Sequence, residues 1–244
     1  MTNQKSLWDY DERYKKVYEA GGVFWNEHSP NPRLLNFITS LPKGSKCIDF
    51  GCGEGHEARN LAKLGFAVTG IDFSPTVIAR NTLITPSDLS VDFFVGDVTD
   101  LQAIGISDKT FDFALDVGCF HMMNDLPDRM AYLTEVKRIL KAGGFFYLQN
   151  GLRLDDVHPK TTGEAAALHA LQTFRSAHTS DELIARRIKT NQGEKEILLP
   201  LLPTKNVALE EYIAELTGVG FSIVYSERSG GANMTFEAII IARS

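Results

Sequence analysis

Four aspartates lie in the first half of the chain so that each one ends, or closely follows, a short apolar run. They are Asp49, Asp72, Asp97 and Asp116. If the runs are parallel strands, their carboxyl ends share one edge of a sheet and the four carboxylates meet there. So acidic a crevice suits a cationic ligand, because each carboxylate repels a phosphate group. The aspartates therefore indicate a site for a positively charged, nucleotide-like compound.

A glycine-rich turn follows the first of these runs. The run Cys47–Phe50 leads into Gly51, Gly53 and Gly55, and a helical pattern comes next. Glycine adopts backbone angles that other residues resist and lets a ligand touch the main chain. The first N–H groups of the following helix point into the same crevice. A doubly wound α/β sheet approaches a nucleotide-like ligand with such a strand, turn and helix start.

The spacing of two of the acids assigns them to different parts of such a ligand. Asp72 lies about 20 residues after Gly51, the distance at which a carboxylate receives two ribose hydroxyls. Asp97 is placed to accept a hydrogen bond from an adenine amino group, with Phe73 and Val98 on either side of the ring. We expect the other two aspartates to surround the remainder of the ligand.

The composition excludes several classes of protein. Of the 244 residues, 43% are apolar and 23% are charged, as in an ordinary folded protein. The net charge is −6 without a long basic run, so we expect no nucleic-acid partner. The three cysteines form no CxxC pair and no apolar run is long enough to span a membrane, so we expect a soluble cytoplasmic protein. His158, His169 and His178 lack metal-ligand spacing, and no metal is expected.

Short strands alternate with helical patterns from residue 46 onward. This alternation predicts a parallel sheet with helices on both faces and right-handed crossovers, in one α/β domain over residues 1–244. The link at Gly230-Gly231 is so short that the last two strands must be antiparallel. The predicted strands are 46–50, 67–71, 91–95, 111–115, 145–149, 221–227 and 236–242.

Residues 1–42 precede the alternation and form a predicted amino-terminal helical lid. Tyr10, Tyr14 and Tyr18 are four residues apart, so a helix places them on one face. That face either packs on the core or closes over a bound ligand.

Residues 151–205 interrupt the alternation and are predicted to be a substrate cap with its own order, since so long a structureless loop is improbable. The pattern Thr161 to Glu164 resembles a capping box that opens a helix. The pattern Thr179 to Glu182 resembles a second one, and we expect a second helix there.

Five strings resemble, in order and at family spacing, the motifs of the class I S-adenosylmethionine-dependent methyltransferases. They are IDFGCGEG, VTGIDFS, FFVGDV, FDFALDVG and LKAGGFFYL. The resemblance covers residues 46–150 and the carboxyl-terminal part of the chain. It implies a doubly wound, seven-stranded, mostly parallel sheet of order 3-2-1-4-5-7-6, with strand 7 antiparallel.

The resemblance also implies S-adenosyl-L-methionine as the cofactor. By matching position, Gly51 and Gly53 wrap its methionine part, Asp72 holds the ribose and Asp97 reads the adenine amine. The remaining residues that we assign to the cofactor lie beside these motifs and are Trp25, Asp49, Cys52, Phe73, Val98, Asp116, Val117 and Gly118. A nicotinamide dehydrogenase is the rival within the fold, but His56 stands where the last glycine of its GxGxxG fingerprint would be.

The segment after the fourth predicted strand carries the candidates for catalysis. Methyl transfer from a sulfonium mainly requires an acceptor held in line and the exclusion of water. An oxygen acceptor usually also needs a general base, whereas a thiolate does not. His121 is the candidate base or orienting donor, with a packed core histidine as the alternative, and Tyr14 is the second catalytic candidate. Cys119 reads as a small buried hydrophobe.

The lead-in around Tyr14 and Trp25 resembles the thiol, thiopurine, halide and tellurite branch of this family, where an aromatic segment closes over the cofactor. We therefore expect the acceptor to be a small molecule, a thiol or another soft nucleophile. Two alternatives stay open. One is oxygen or nitrogen methylation with His121 as the base, and the other is an inactive, cofactor-binding scaffold subunit. The sequence does not predict the oligomeric state.

Overall fold

The computed structural model describes residues 4–23, 32–180, 182–230 and 236–244. Its elements follow in chain order. They are α1 (Gln4–Glu19), β1 (Gly22–Val23), α2 (Pro32–Ile38), β2 (Lys46–Phe50), α3 (His56–Lys63), β3 (Ala67–Asp72), α4 (Pro75–Ile84), β4 (Val91–Val95), β5 (Phe111–Val117), α5 (Leu126–Ile139), β6 (Leu140–Gly151), α6 (Thr162–Ala177), β7 (Leu183–Thr190), β8 (Gly193–Pro200), α7 (Leu209–Gly218), β9 (Ser222–Gly230) and β10 (Phe236–Arg243).

Seven strands form the central sheet, in the order β4-β3-β2-β5-β6-β10-β9. β2 pairs in parallel with β3 and β5, and these pair in parallel with β4 and β6. β10 is antiparallel to both of its neighbours. The fold class, the strand order and the antiparallel final pair predicted from the sequence are confirmed.

Alternating side chains of the central strands pack into two apolar layers, one on each face of the sheet. Along β2, Ile48 and Phe50 contribute to one layer and Cys47 to the other. Helix α5 covers the first layer with a fully buried stripe that includes Tyr132, Val136 and Ile139. Burial on both faces explains why these strands read as nearly continuous apolar runs.

The helix α5 and the strand β6 meet without a turn, although the pair Gly143-Gly144 in the sequence is typical of a helix stop. The helix ends at Ile139 and β6 begins at Leu140. Leu140 pairs with Phe111, whereas Phe145 pairs with Phe113, so the pairing register shifts between them. The two glycines lie in this irregularity inside the strand rather than at a helix stop.

Residues 151–205 contain one helix and a β-hairpin. Helix α6 begins where the first capping pattern predicts, with the Thr161 hydroxyl accepting a hydrogen bond from the Glu164 N–H. The second predicted helix is wrong, because β7 follows Thr179 and Glu182 and pairs with β8 and β1 in an antiparallel sheet. The Glu182 carboxylate accepts from the Thr179 N–H, as in a capping box, but it closes only a turn. Alternate burial of Ile184 and Ile188 then favours a strand.

Candidate active site

The glycine turn after β2 lies between the loop that follows β5 and the helix α1. Gly51 and Gly53 have φ angles of 61° and 48°, in the left-handed region that favours glycine. A Cβ atom at Gly51 would lie 2.7 Å from Cys119 Sγ, and one at Gly53 would lie 2.9 Å from the Tyr14 hydroxyl. The two glycines therefore allow Cys119 and Tyr14 to pack directly against the backbone of this turn, at the carboxyl edge of the sheet.

Asp72 joins the turn after β2 to the turn after β3. Its Oδ2 accepts a hydrogen bond from the Gly53 N–H at 2.8 Å, and its Oδ1 accepts from the Ser74 N–H at 2.9 Å. Burial raises the pKa of this carboxyl, and the two backbone donors oppose the shift. Each oxygen of a carboxylate has two lone pairs, so both keep capacity for a further donor such as a ribose hydroxyl.

Asp49 supplies a buried oxygen without a partner directly before the glycine turn. Among the described residues, no group donates a hydrogen bond to Asp49 Oδ2 or to Oε2 of the neighbouring Glu57. Burial raises the pKa of Asp49 well above its usual range, and burial raises that of Glu57 to about 7. Unpaired buried carboxylates are costly, so this end of the crevice is suited to receive a cation.

Asp97 and its neighbours follow β4 as predicted. Asp97 Oδ1 accepts hydrogen bonds from the Thr99 N–H at 2.9 Å and from the Thr99 hydroxyl at 2.7 Å, and Oδ2 takes no part in these bonds. Val98 is buried in the core and Phe73 is partly buried. Contacts of these three residues with an adenine ring stay a prediction.

Asp116 is the centre of a buried hydrogen-bond network rather than an open ligand of the crevice. Its two oxygens accept from the backbone N–H groups of Cys119 and Phe120 at 2.9 Å, from the Tyr132 hydroxyl at 2.5 Å and from the Asn150 amide at 2.8 Å. Burial raises its pKa to about 6, and these donors limit the shift. The direct contact with the cofactor stays a prediction, and the geometry favours an indirect role in which Asp116 fixes the loop after β5.

Arg129 of α5 secures the same loop from the other side. Its fully buried guanidinium lies 3.8 Å from the centroid of the Phe120 ring and donates to the backbone oxygens of Phe120 and Met123. It also forms a bidentate ion pair with Glu215 of α7, at 2.7 and 2.6 Å. The loop that carries Val117, Gly118, Cys119 and His121 is thus held by two buried charges.

His121 sits in this loop with one ring nitrogen occupied. The Gly151 N–H donates to its Nδ1 at 3.1 Å, so the proton of the neutral ring resides on Nε2. Burial, together with the positive charges of Arg175 and Arg129, lowers the pKa of His121 to about 4. At neutral pH the side chain is therefore an uncharged hydrogen-bond donor.

Helix α1 covers the turns after β2 and β3. Asp11 accepts from the Ser74 hydroxyl at 2.6 Å and from the Thr76 N–H at 3.0 Å, and Ser74 is also the N-cap of α4. Tyr14 is buried, and its ring centroid is 6.0 Å from that of Tyr18. Tyr10 is partly buried near the charged groups of the crevice, since burial raises its pKa and the charge of Asp72 adds to the shift.

The structure brings most of the predicted site residues to one crevice and adds three that were missed. Asn81 donates to the Gly53 carbonyl at 2.7 Å, Asn150 accepts from the His121 N–H at 2.9 Å, and Asp11 holds α1. Only the four-residue spacing of tyrosines next to Asp11 gave a local signal, because the partners of all three are distant in sequence. Trp25 lies outside the described residues, so its predicted contact with the cofactor stays a prediction.

A doubly wound α/β sheet with a glycine turn and acids at its carboxyl edge is the architecture of a class I methyltransferase. Residues 48–148 match the family model described as the methyltransferase domain. The methyltransferase predicted from the sequence is therefore confirmed for residues 48–148, the part of the chain that matches this domain. The more specific likeness to the thiol and halide branch remains a loose comparison.

Two curated relatives are similar to the central part of the chain. The 2-methyl-6-phytyl-1,4-hydroquinone methyltransferase of Synechocystis sp. is 36% identical over 120 residues, which cover 49% of this chain and 36% of that protein. A ubiquinone biosynthesis O-methyltransferase of Xanthomonas axonopodis pv. citri is 33% identical over 149 residues, which cover 60% of each chain. The similarity thus spans less than two thirds of the length of either relative.

A solved structure extends the likeness of the fold to nearly the whole chain. The 1,6-didemethyltoxoflavin-N1-methyltransferase of Burkholderia thailandensis, with bound 1,6-didemethyltoxoflavin and S-adenosylhomocysteine, has a TM-score of 0.63 at 17% identity and covers 99% of this chain and 88% of that one. S-adenosyl-L-methionine, the cofactor predicted from the sequence, is supported. The orphaned oxygen of Asp49, the glycine turn without side chains at Gly51 and Gly53 and the free capacity of Asp72 fit this cationic, ribose-containing compound.

In the described parts of the chain, no helix is both long and apolar enough to cross a membrane. No group of three or more histidine, cysteine, aspartate or glutamate side chains in those parts could hold a metal ion. The cytoplasmic location and the lack of a nucleic-acid partner stay predictions.

Proposed function

We propose that the protein is an S-adenosyl-L-methionine-dependent methyltransferase that acts on a small molecule by direct in-line transfer. The observation that carries the proposal is Asp72, whose carboxylate holds Gly53 and Ser74 together and has lone pairs left for a ribose. When bound, the cofactor supplies an electrophilic methyl group on a positively charged sulfur. The chain then has to orient the acceptor and exclude water.

The residues divide this work between binding and covering. Asp49 and Asp72 offer oxygen acceptors to the cofactor, and Asp97 offers its Oδ2. Tyr10 and Tyr14 on α1 cover the crevice and keep water out, as in the proposed lid over residues 1–42. The hydrogen bond between Asp11 and Ser74 holds this lid on the sheet.

We propose an oxygen atom as the methyl acceptor. The support is that the relative from Xanthomonas is named as an O-methyltransferase and is 33% identical over 149 residues. Neither of the two curated relatives is named as a thiol methyltransferase, and the thiol acceptor expected from the sequence stays a hypothesis. The cap of residues 151–205 is the proposed source of acceptor specificity.

We assign His121 the role of an orienting donor rather than that of the general base. Its Nδ1 accepts from Gly151, so only the Nε2–H group is available to an acceptor molecule. A histidine with a pKa of about 4 is also a weak proton acceptor at neutral pH. The proposed oxygen acceptor must therefore lose its proton to solvent or arrive already ionised.

Calorimetry with S-adenosylhomocysteine tests the cofactor site. Asp72→Ala should weaken binding by about 1–3 kcal/mol, the value of a hydrogen bond to a charged group. Asp92→Ala is the matched control, because Asp92 is exposed on the neighbouring strand β4 and should leave the affinity unchanged. Equal affinities for all three proteins would reject the ribose role of Asp72.

A panel of phenols, thiols, amines and halides, assayed with radiolabelled methyl donor, tests the acceptor. Labelling of a phenol in preference to the matching thiol supports the oxygen acceptor, and the reverse result contradicts it. Turnover of any acceptor by the isolated protein rejects the inactive scaffold. With the best acceptor, His121→Ala should lower kcat/KM about tenfold and leave the shape of the pH–rate profile unchanged. Loss of an inflection that the wild-type profile shows would restore His121 as the base.

A further inference from the structure

Three arginines lie on elements outside the central sheet, and two of them, Arg13 and Arg186, are partly buried. Arg13 belongs to α1, Arg175 to α6 and Arg186 to β7. We call α6, the hairpin β7–β8 and Arg13 the acceptor wall, and the turns after β2 and β3, residues 49–55 and 72–74, the cofactor wall. The acceptor wall carries positive charge where the cofactor wall carries negative charge.

Arg186 points to the inner face of its hairpin. It lies on the same face of β7 as Ile184 and Ile188, which are two positions away on either side and are both buried. Its guanidinium carbon lies 5.5 Å from the centroid of the Phe174 ring on α6. The next residue, Arg187, points to the opposite face, where its side chain is 78% exposed. The inward direction of Arg186 is therefore set by the strand and by a cation–π contact.

Arg13 is held beside Arg186. Its Nη1 donates to the Pro200 carbonyl of β8 at 3.1 Å. Burial lowers the pKa of Arg13, and the like charge of Arg186 lowers it further. Two cations that repel each other are thus brought together at the junction of α1 with the hairpin.

The described residues offer no carboxylate to Arg186 or Arg175. Burial alone lowers the pKa of both, without an acidic neighbour to oppose it. The partner of Arg175 is an amide, since Asn206, oriented with its oxygen toward the guanidinium, accepts from it. Other arginines of the protein do have carboxylate partners: Arg129, Arg138 and Arg153 each form an ion pair with a glutamate or an aspartate.

These cations adjoin the place where the acceptor must lie. The pKa of Tyr10 responds both to Arg13 and to Asp72, so this ring lies between the two walls. The pKa of His121 responds to Arg175, which puts that charge on the far side of the loop after β5. Arg13 and Arg175 therefore bring positive charge near two side chains of the crevice, Tyr10 and His121.

We propose that Arg186, with Arg13 beside it, binds a carboxylate of the methyl acceptor, so that the substrates are small organic acids. The inference rests on the proposed function and names the substrate class of the same site. A guanidinium presents a planar fork of donors that matches a carboxylate with two parallel hydrogen bonds. A bound carboxylate also supplies a counter-charge to Arg186, to which the described residues offer none. Arg175 adds a longer-range attraction on the His121 side.

Binding of matched compounds to the protein saturated with S-adenosylhomocysteine tests the proposal. The pairs differ in a carboxylate, as do 3,4-dihydroxybenzoate and catechol, or 3-mercaptopropionate and ethanethiol. At least one acid should bind about tenfold more tightly than its neutral partner, as expected for a charge-assisted pair. Arg186→Gln should abolish this preference, and Arg186→Lys should retain part of it.

Arg187→Gln is the control, because it removes a neighbouring positive charge on the outer face of the same strand. It should keep the full preference for acids. Equal binding of acid and neutral partner in every pair, or equal losses in R186Q and R187Q, would overturn the proposal. Affinity for S-adenosylhomocysteine should be unchanged in all variants. A wild-type protein that does not bind it would instead refute the proposed function, so the two failures are distinguishable.

Discussion

The cofactor wall and the acceptor wall differ both in charge and in how the chain builds them. The cofactor wall is acidic, and its contacts connect short turns of adjacent parallel strands, as when Asp72 accepts from Gly53 and Ser74. The acceptor wall is basic and is assembled from α1, α6 and a hairpin that lie far apart in sequence. A positively charged donor and a negatively charged acceptor would therefore each meet a wall of opposite sign, which aligns the two reactants before any bond changes.

The first prediction tests whether the two walls share one support, the loop after β5. Asp116→Asn should lower the free energy of unfolding by about 3 kcal/mol or more, because an amide NH2 would face one of the four donors that now surround the carboxylate. Urea denaturation measures this change. We also expect both cofactor affinity and turnover to fall.

The matched variant is Asp125→Asn, which changes the N-cap of α5 near that loop. Asparagine caps a helix as well as aspartate does, so we expect a change within about 0.5 kcal/mol. If D116N proves as stable as D125N, the network around Asp116 does not support the walls.

The second prediction concerns the cofactor wall alone. Gly51→Ala should weaken S-adenosylhomocysteine binding by about 2–3 kcal/mol, that is about 100-fold, because the new methyl group would lie 2.7 Å from Cys119 Sγ. Gly65→Ala carries backbone strain without obstruction, since φ is +93° and the nearest atom to its Cβ is 3.8 Å away. G65A should lose stability but keep its cofactor affinity. Equal affinities of the two variants would show that the turn does not contact the cofactor.

The third prediction uses pH to measure what the buried carboxyl of Glu57, directly after the cofactor wall, costs in stability. The folded pKa of Glu57 is raised from 4.5 to about 7, so the folded state holds its proton more tightly than the unfolded state. Glu57 therefore contributes its full share of stability below pH 4.5 and loses it as the pH rises toward 7 and above. Glu57→Gln should be more stable than the wild type by about 1–3 kcal/mol at pH 8 and similar to it at pH 4.

Thermal unfolding across this pH range provides the measurement. Saturation with S-adenosylhomocysteine should be avoided in this experiment, because ligand binding adds to the apparent stability. A constant difference between E57Q and the wild type at every pH would contradict the assignment of the raised pKa to Glu57.

The fourth prediction compares one helix cap from each wall. Ser74 caps α4 and also donates to the buried Asp11 at 2.6 Å, whereas Thr161 caps α6 at an exposed position. Thr161→Ala should cost about 0.5–1 kcal/mol, and Ser74→Ala about 2 kcal/mol, because it also leaves a buried carboxylate with one donor fewer. Chemical denaturation of both variants gives the difference. Equal costs would mean that α1 gains nothing from the contact with Ser74.

Sequence patterns predict those parts of the molecule whose signals are local. Ser74-Pro75 marks the start of α4, and the glycines after β2 mark the turn, because capping and backbone freedom depend on adjacent residues. The alternation of strands and helices likewise predicts the sheet and its order. Asp72 was assigned to the cofactor site from its spacing to the turn, and the structure places it against that turn, although contact with the ribose stays a prediction.

The remaining features depend on contacts between distant segments. The sequence suggested that Asp116 is a ligand of the crevice. Its partners Tyr132 and Asn150 are 16 and 34 positions away, so no local pattern indicated the buried network. Thr179 and Glu182 gave a capping signal that β7 overrides, since pairing with β8 buries Ile184 and Ile188. Arg186 carried no signal at all, because its direction becomes visible only once its strand is paired.

The tether between Asp11 and Ser74 also affects the order in which the protein can mature on the ribosome. Its two ends are 63 positions apart, so the first helix leaves the exit tunnel well before its docking partner has been synthesised. During translation that helix must wait, or find temporary cover, until β3 and the start of α4 have folded. The segment that we propose to cover the cofactor is therefore translated early and secured late.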